Sequence, residues 1–291
     1  MGDVTAAASA DGSARGTWGA GLRLAFGTLS LLPAGTPSRL DREVGGRAMV
    51  LAPVVGAVLG GVAAGVVALL QLMRPNAELL AAVLGVLAAA GLSGALHLDG
   101  LADFADALGS RRDRETMLRI MKQSDIGPFG VVAIIGVLLI DVAALAACIH
   151  AGFGWQAILL AVTASRLTLP WSCRTAVPGA RPGGLGAIVA ATVRPLSAAL
   201  TTIVVLAAGL LLTWLTALAM PTSDSATIDQ SRSPDALLLI GVTAAILLAI
   251  ATSFVTTHRA RQALGGTTGD VLGATVELAL PVALLTLALT A

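Results

Sequence analysis

The chain alternates long apolar stretches with short polar ones. Seven stretches approach the roughly 20 apolar residues that an α-helix needs to cross the hydrocarbon of a bilayer, and several of them carry no charged residue. This pattern predicts an all-α fold, a polytopic membrane bundle with about seven transmembrane helices. The predicted segments are 48–73, 78–97, 130–150, 155–172, 196–220, 235–256 and 271–290.

Composition agrees with a membrane location. Apolar side chains make up 56% of the chain and charged ones 12%, whereas soluble proteins average about 25% charged residues. Because no linker separates two cores, we predict one membrane-embedded domain over 19–291, preceded by a low-complexity, disordered tail over 1–18. The mixed segment 19–34 is typical of an interfacial helix. The net charge of +1 offers nothing to a nucleic acid.

Lys and Arg residues are concentrated in alternate loops. Five precede the first segment and five lie between the second and third, whereas one follows the first and none lies between the third and fourth. Since short cytoplasmic loops retain positive charge, we predict a cytoplasmic N-terminus and an external C-terminus in the cell membrane. The loops assigned to the cytoplasm are also rich in Gly, Asp and Arg, so we expect the active site to face the cytoplasm.

Three carboxylates lie where the second apolar segment ends. Asp103 and Asp106 follow Asp99 by four and seven positions, so on a helix all three point within roughly 60° of one another. A divalent cation relieves their repulsion, and Mg²⁺ prefers one or two carboxylates together with substrate phosphates. We predict a Mg²⁺ site formed by these three residues. The alternative is a solvated acidic helix face.

Other polar groups in the same loops suit an anionic substrate. Arginines stand beside glycines whose amides can approach an anion closely, and an acid two turns into the last segment indicates a polar cavity. His97 adjoins the acidic motif as a substrate contact or, less favoured, a general base. The candidate substrate-binding residues are His97, Arg166, Arg174, Arg181, Gly266, Thr268, Gly269 and Glu277, and Asp270 joins Asp99, Asp103 and Asp106 as a candidate catalytic residue.

Two features predict helix packing. Asp141 lies in the middle of the third segment, and Arg166 lies at a similar depth in the fourth, within about 3 Å at 1.5 Å per residue. We predict an ion pair between them, because an unpaired charge inside a membrane is costly. In the first segment, Gly56 with Gly60 and Gly61 with Gly65 predict close approach of neighbouring helices.

Carboxylates, arginines and glycine loops at a membrane surface indicate metal-assisted chemistry on a diphosphate. The strings HLDGLADFADAL (97–108), MKQSDIGPFG (121–130) and GGTTGDVLGATVEL (265–278) resemble the cobalamin synthase family, the membrane-bound adenosylcobinamide-GDP ribazoletransferases. The resemblance extends from about residue 20 onward. It departs from the family at Gln123, often an acid, and at Asp125, often a basic residue, so Asp125 has no assigned role.

The resemblance implies Mg²⁺-dependent transfer of adenosylcobinamide phosphate from adenosylcobinamide-GDP to α-ribazole or its 5′-phosphate, with release of GMP. It also implies that Asp99, Asp103 and Asp106 bind the metal and that Asp270 acts with them. The lipid bilayer is a further expected partner. Whether the chain forms a homo-oligomer is left open.

Other classes of protein share parts of the pattern. A CDP-alcohol phosphotransferase also uses spaced aspartates and Mg²⁺, but its motif has Ala-Arg where this chain has Leu-Ala and Phe-Ala. A prenyltransferase would need a second aspartate cluster. A transporter with an acidic cation site would need polar residues in the outer half of several helices, whereas here they lie at one side.

Overall fold

A computed structural model describes residues 17–219 and 236–291 of the chain. The described residues are helical, without strands and with two isolated β-bridges. Residues 1–16 of the predicted tail lie outside this part, while Thr17 and Trp18 already belong to the first helix. The helices are α1 (17–29), α2 (Arg42–Met73), α3 (Glu78–Leu92), α4 (Leu96–Gly109), α5 (Arg114–Ile120), α6 (Pro128–His150), α7 (Gly154–Ser172), α8 (Leu185–Val189), α9 (Pro195–Ala219), α10 (Ala236–Leu264) and α11 (Gly269–Ala288).

Five of the described helices are long and apolar enough to cross a membrane, namely α2, α6, α9, α10 and α11. The apolar stretch 78–97 does not continue as one straight helix, because α3 and α4 meet at a bend of 87° and would add a sixth crossing only as a broken span. Gly94 and Ala95 at this bend both have left-handed backbone conformations. The stretch 155–172 forms α7, whose composition is not apolar enough for it to count as a candidate membrane span. The model thus confirms a membrane bundle but not the count of seven.

α7 occupies the interior of the bundle, packed against α2, α6, α9, α10 and α11. Most of its side chains are buried, including Gln156, Ser165 and Arg166. These polar residues explain its lower hydropathy, because a helix shielded by other helices need not present an apolar surface to lipid.

Glycines set the distance between α2 and α7. A Cβ atom on Gly56 would lie 2.9 Å from the carbonyl oxygen of Val162, and one on Gly60 would lie 3.0 Å from that of Leu159. The first distance is shorter than real Cβ contacts and the second is tighter than nine in ten of them, so the backbones approach as closely as the first glycine pair predicts. The prediction of close approach was wrong for the second pair, because no neighbouring atom lies within 4 Å of a Cβ position on Gly61 or Gly65.

The start of α6 is capped by a side chain from α4. The amides of Gly127 and Gly130 donate to the two carboxylate oxygens of Asp106 at 2.7 and 2.9 Å. A Cβ atom on either glycine would overlap this carboxylate. A carboxylate that binds two free amides of a helix N-terminus is favoured by hydrogen bonding and by the helix dipole, so Asp106 fixes α6 against α4.

We expect Gly60→Leu to lower the free energy of unfolding by about 1–3 kcal/mol, because the larger side chain must push α2 away from α7. Gly61→Leu is the matched control, since its position is open. Thermal unfolding of the two detergent-solubilised variants measures the difference. Equal melting temperatures would contradict the α2–α7 contact.

Candidate active site

A cavity of about 290 Å³ lies where α4, α8 and the start of α11 meet, with α1 and α2 completing its wall. It brings together three of the regions that the sequence singled out. Its lining residues include six predicted ones and two further threonines. The lining includes His97, Asp99, Arg181, Thr268, Gly269 and Asp270, together with Thr28, Met49, Gly183, Gly184, Leu185, Gly186, Ala187, Thr267 and Gly273.

Close backbone contacts bring these elements together. A Cβ atom on Gly100 would lie 2.8 Å from the carbonyl oxygen of Asp270, and one on Gly273 would lie 3.2 Å from Cα of His97. A Cβ atom on Gly186 would lie 2.8 Å from Cα of Thr268. Glycine at these positions therefore lets α4 and α8 contact the beginning of α11 directly.

The loop that carries Arg181 is joined to the loop before α11. The amide of Thr267 donates to the carbonyl of Pro178 at 2.9 Å, and the amide of Ala180 donates to the carbonyl of Thr267 at 2.8 Å. Gly266 does not line the cavity: a Cβ atom there would overlap the backbone at Pro178 and Gly179. Gly266 thus permits the junction of the two loops.

Arg181 and Asp270 form an ion pair at the cavity wall. Nη2 of Arg181 lies 2.9 Å from Oδ2 of Asp270, and both side chains are about one quarter exposed, 24% and 25%. The hydroxyl of Thr268 donates to the same oxygen at 3.2 Å and accepts the amide of Val271, which caps α11. Nη1 of Arg181 is buried without a hydrogen-bond partner. A guanidinium with unused donor capacity fits an anionic ligand.

Asp103 experiences the repulsion that the acidic motif predicts. The pKa of Asp103 is raised to about 7, mainly by burial and in addition by the nearby charges of Asp99, Asp270 and Asp106, while Arg181 opposes the shift. Among the described residues no three His, Cys, Asp or Glu side chains are placed to hold a metal ion. Two carboxylates suffice when substrate phosphates complete the coordination shell of Mg²⁺, so Asp99 and Asp103 fit the predicted cation.

Asp106, the third predicted ligand, has other partners in this structure. Its two oxygens accept the amides of Gly127 and Gly130. Asp106 therefore differs from Asp99 and Asp103 in its hydrogen-bond partners, although the three aspartates share one helix face. Metal binding by Asp106 stays a prediction.

Besides Gly266, three predicted substrate-binding residues do not line the cavity: Arg166, Arg174 and Glu277. Arg174 donates to the carbonyl of Trp171 at 2.7 Å, and its guanidinium lies 4.3 Å from the ring centroid of Phe254. These contacts place it at the end of α7, against α10.

Arg166 and Glu277 belong to a cluster in the bundle interior together with Asp141 and His97. Arg166 is 1% exposed and Asp141 is fully buried. The predicted ion pair between them is not formed, because neither oxygen of Asp141 has a hydrogen-bond partner. Asp141 and Glu277 are nevertheless both close enough to Arg166 for a favourable Coulomb interaction.

Two arginines that were not among the predicted site residues support the cavity walls. Arg42 donates to the carbonyls of Ala187 and Ala190 at 2.5 and 2.7 Å. Arg114 donates to those of Leu264 and Ala180, both at 2.7 Å. Each guanidinium joins segments that are distant in sequence. A single basic residue has no sequence pattern from which such hydrogen bonds could be predicted.

The comparisons with known proteins identify a family for this chain. The family model for cobalamin-5-phosphate synthase matches residues 21–288. Proteins named adenosylcobinamide-GDP ribazoletransferase are similar to the chain in Frankia casuarinae (38% identity, covering 92% of this chain and 94% of the relative), Nocardioides sp. (36%, 90% and 96%) and Pseudomonas paraeruginosa (38%, 92% and 97%). No solved structure gave a significant match. Since the family model spans nearly the whole chain and these relatives are 36–38% identical over at least 90% of it, the chain belongs to the cobalamin-5-phosphate synthase family.

Proposed function

We propose that this chain transfers the adenosylcobinamide phosphate group of adenosylcobinamide-GDP to α-ribazole or α-ribazole 5′-phosphate. A ribose hydroxyl oxygen of the acceptor bonds to the phosphorus that carries cobinamide, the phosphoanhydride bond to GMP breaks, and the hydroxyl proton passes to a base. The names of the relatives support this reaction. The observation that carries it is the Arg181–Asp270 ion pair in one cavity with Asp99.

Residues in and beside the cavity have separate roles in diphosphate chemistry; Asp99 lines the cavity, and Asp103 follows it by one turn of α4. Asp99 and Asp103 would hold Mg²⁺, which neutralises charge on a diphosphate as the bond to the leaving group breaks. Arg181 would bind phosphate oxygens through its unused Nη1 donor. The amides around Gly183 and Gly184 can approach the same anion, because no side chain stands in front of them.

Asp270 orients Arg181. The carboxylate holds one end of the guanidinium at 2.9 Å while Thr268 supports the same oxygen. An arginine fixed in this way loses less freedom when it binds phosphate, so more of the interaction energy is retained for the substrate.

We infer that the cavity faces the cytoplasm, with seven crossings. If α3 and the buried α7 each cross, the chain crosses seven times, through α2, α3, α6, α7, α9, α10 and α11. The segments 93–127, 173–194 and 265–268 then lie on one side, which is the side of the cavity and of most Lys and Arg residues. The positive-inside rule places this side in the cytoplasm of the cell membrane.

The first test is GMP release from adenosylcobinamide-GDP and α-ribazole by the detergent-solubilised protein, with Mg²⁺ and after its removal by chelation. We expect Mg²⁺-dependent release that falls at least roughly 100-fold in Asp103→Asn, the size of effect seen when a group that stabilises developing charge is lost. Glu115→Gln is the control, because Glu115 is an exposed acid on the neighbouring helix α5. No turnover by a folded wild-type protein would overturn the proposal.

Asp106→Asn separates the capping role of Asp106 from metal binding. An amide has only one acceptor for the two donors of Gly127 and Gly130, so we expect the free energy of unfolding to fall by about 1–3 kcal/mol. The Mg²⁺ concentration for half-maximal GMP release should not change. A strongly raised Mg²⁺ requirement with unaltered thermal stability would instead identify Asp106 as a metal ligand.

A further inference from the structure

Arg174 lies away from the cavity, where the end of α7 meets α9 and α10. Its guanidinium donates to the carbonyl of Trp171 and lies 4.3 Å from the ring centroid of Phe254 on α10. The rings of Trp171 and Phe254 are 5.5 Å apart, and Nε1 of Trp171 donates to the hydroxyl of Thr202 on α9 at 3.0 Å. These contacts hold one charged group beside two aromatic rings at the junction of three helices.

Arg261 lies on the same side of α10 as this junction. His258 and Arg261 follow Phe254 by four and seven positions, so the three side chains point within about 60° of one another. All three are exposed. Partial burial and, in addition, Coulomb repulsion from Arg261 lower the pKa of Arg174, so the two guanidinium groups are neighbours. Arg174, His258 and Arg261 together form a basic patch.

No acid balances the basic patch within the described part of the chain. Neither segment 171–219 nor segment 236–269 contains Asp or Glu, and the described ion pairs include neither Arg174 nor Arg261. Arg181, by contrast, pairs with Asp270. Neighbouring cations that lack a carboxylate partner repel each other, and an anion that accepts hydrogen bonds from both relieves this repulsion.

The basic patch lies at an end of the helices, with aromatic rings beneath it. Arg174 follows the last residue of α7, and Arg261 lies in the last turn of α10. Phe254 precedes Arg261 by seven positions, or about 10 Å along the helix axis. Basic residues just outside aromatic ones are typical of the boundary between lipid headgroups and hydrocarbon. The patch is therefore placed at the level of the headgroups.

An apolar groove between α9 and α10 continues from this boundary toward the middle of the bundle. Leu247 precedes Phe254 by seven positions, so it lies on the same face of α10 and about 10 Å deeper, within one half of a hydrocarbon core of about 30 Å. The groove has a volume of about 680 Å³, and its lining includes Leu210, Leu211, Trp214, Ile240 and Leu247. The hydroxyl of Thr243, also in the lining, donates to the carbonyl of Leu239 in its own helix. The groove thus suits an acyl chain.

We propose that an anionic phospholipid binds between α7, α9 and α10, with its phosphate on Arg174 and Arg261 and an acyl chain in the groove between α9 and α10. The basic patch selects an anionic headgroup over a zwitterionic one, because the cation of a zwitterionic headgroup is repelled there. The site is separate from the cavity, which neither arginine lines. The inference requires that the bundle lies in a bilayer and does not depend on the transferase reaction.

Quenching of Trp171 fluorescence by brominated lipid measures this binding. The chain has four tryptophans, so phenylalanine at positions 18, 155 and 214 leaves Trp171 as the only indole. The full chain is reconstituted in phosphatidylcholine vesicles that contain brominated phosphatidylglycerol or brominated phosphatidylcholine. We expect half-maximal quenching at a mole fraction of phosphatidylglycerol roughly 5- to 30-fold lower, since each basic residue near the surface contributes about a factor of five. Equal mole fractions for the two lipids would overturn the proposal.

Two arginines of α10 provide matched variants. Arg261→Gln should raise the required mole fraction of phosphatidylglycerol about 5-fold. Arg259→Gln removes the same charge from an exposed position of the same helix, but Arg259 points about 140° away from Phe254, so it should behave as the wild type does. An equal effect of the two substitutions would indicate general surface charge and overturn the proposal.

Arg174 is tested by a second pair of variants. Arg174→Gln should lose most of the preference for phosphatidylglycerol, whereas Arg174→Lys keeps the charge and should retain most of it. Equal loss in two folded variants would contradict a role for the charge. If Arg174→Gln does not fold, the exposed pair Arg261→Gln and Arg259→Gln decides the question alone.

Soluble anions distinguish a lipid phosphate from other phosphates. Inorganic phosphate and GMP, added at millimolar concentration and constant ionic strength, should leave the quenching by phosphatidylglycerol unchanged, because neither has an acyl chain to occupy the groove. Displacement of the lipid by either would assign the basic patch to a soluble anion and overturn the proposal. Absence of quenching by both lipids would show that protein, such as a second copy of the chain, covers this face, and would overturn it as well.

Discussion

Charge inside an apolar bundle is the constraint on which the rest of the structure depends. A charged side chain in a membrane interior costs several kcal/mol unless other groups compensate it. The chain meets this cost in two ways. Arg166 lies beside Glu277, Asp141 and His97 in the interior, whereas Arg181 and Asp270 pair at a cavity that is partly open. The interior cluster is enclosed by helices, whereas the open pair is accessible to a ligand.

Glycine provides the complementary constraint, because the cavity needs backbones closer than side chains allow. Gly100, Gly186 and Gly273 place α4, α8 and α11 in direct contact. Around this contact the arginines Arg42 and Arg114 bind loop carbonyls. The site is consequently built from three distant parts of the chain. Their relative positions depend on the absence of a side chain at these glycines as much as on the side chains that are present.

Much of this arrangement could be predicted from local patterns. The apolar periodicity gave the helical bundle, and the helical spacing of Asp99 and Asp103 gave the acidic side of the cavity. The patterns could not predict the partner of Asp106. A helix cap formed by a residue 21 positions away leaves no periodic pattern in the sequence. They also missed Thr28, Met49 and α8, ordinary residues that reach the cavity only through tertiary packing. Arg166 and Glu277 were predicted near the substrate because depth alone does not tell a lining residue from an interior one.

The bend between α3 and α4 has a consequence for biosynthesis. A straight continuation of α3 would carry three aspartates into the hydrocarbon, each at roughly 2.5–3.5 kcal/mol on insertion scales. With the bend of 87°, α2 and α3 can enter the bilayer as an apolar hairpin while the acidic helix stays at the surface. If α3 crosses the bilayer as proposed, only apolar segments have to insert here, and the acidic residues meet Asp270 once α11 is in place.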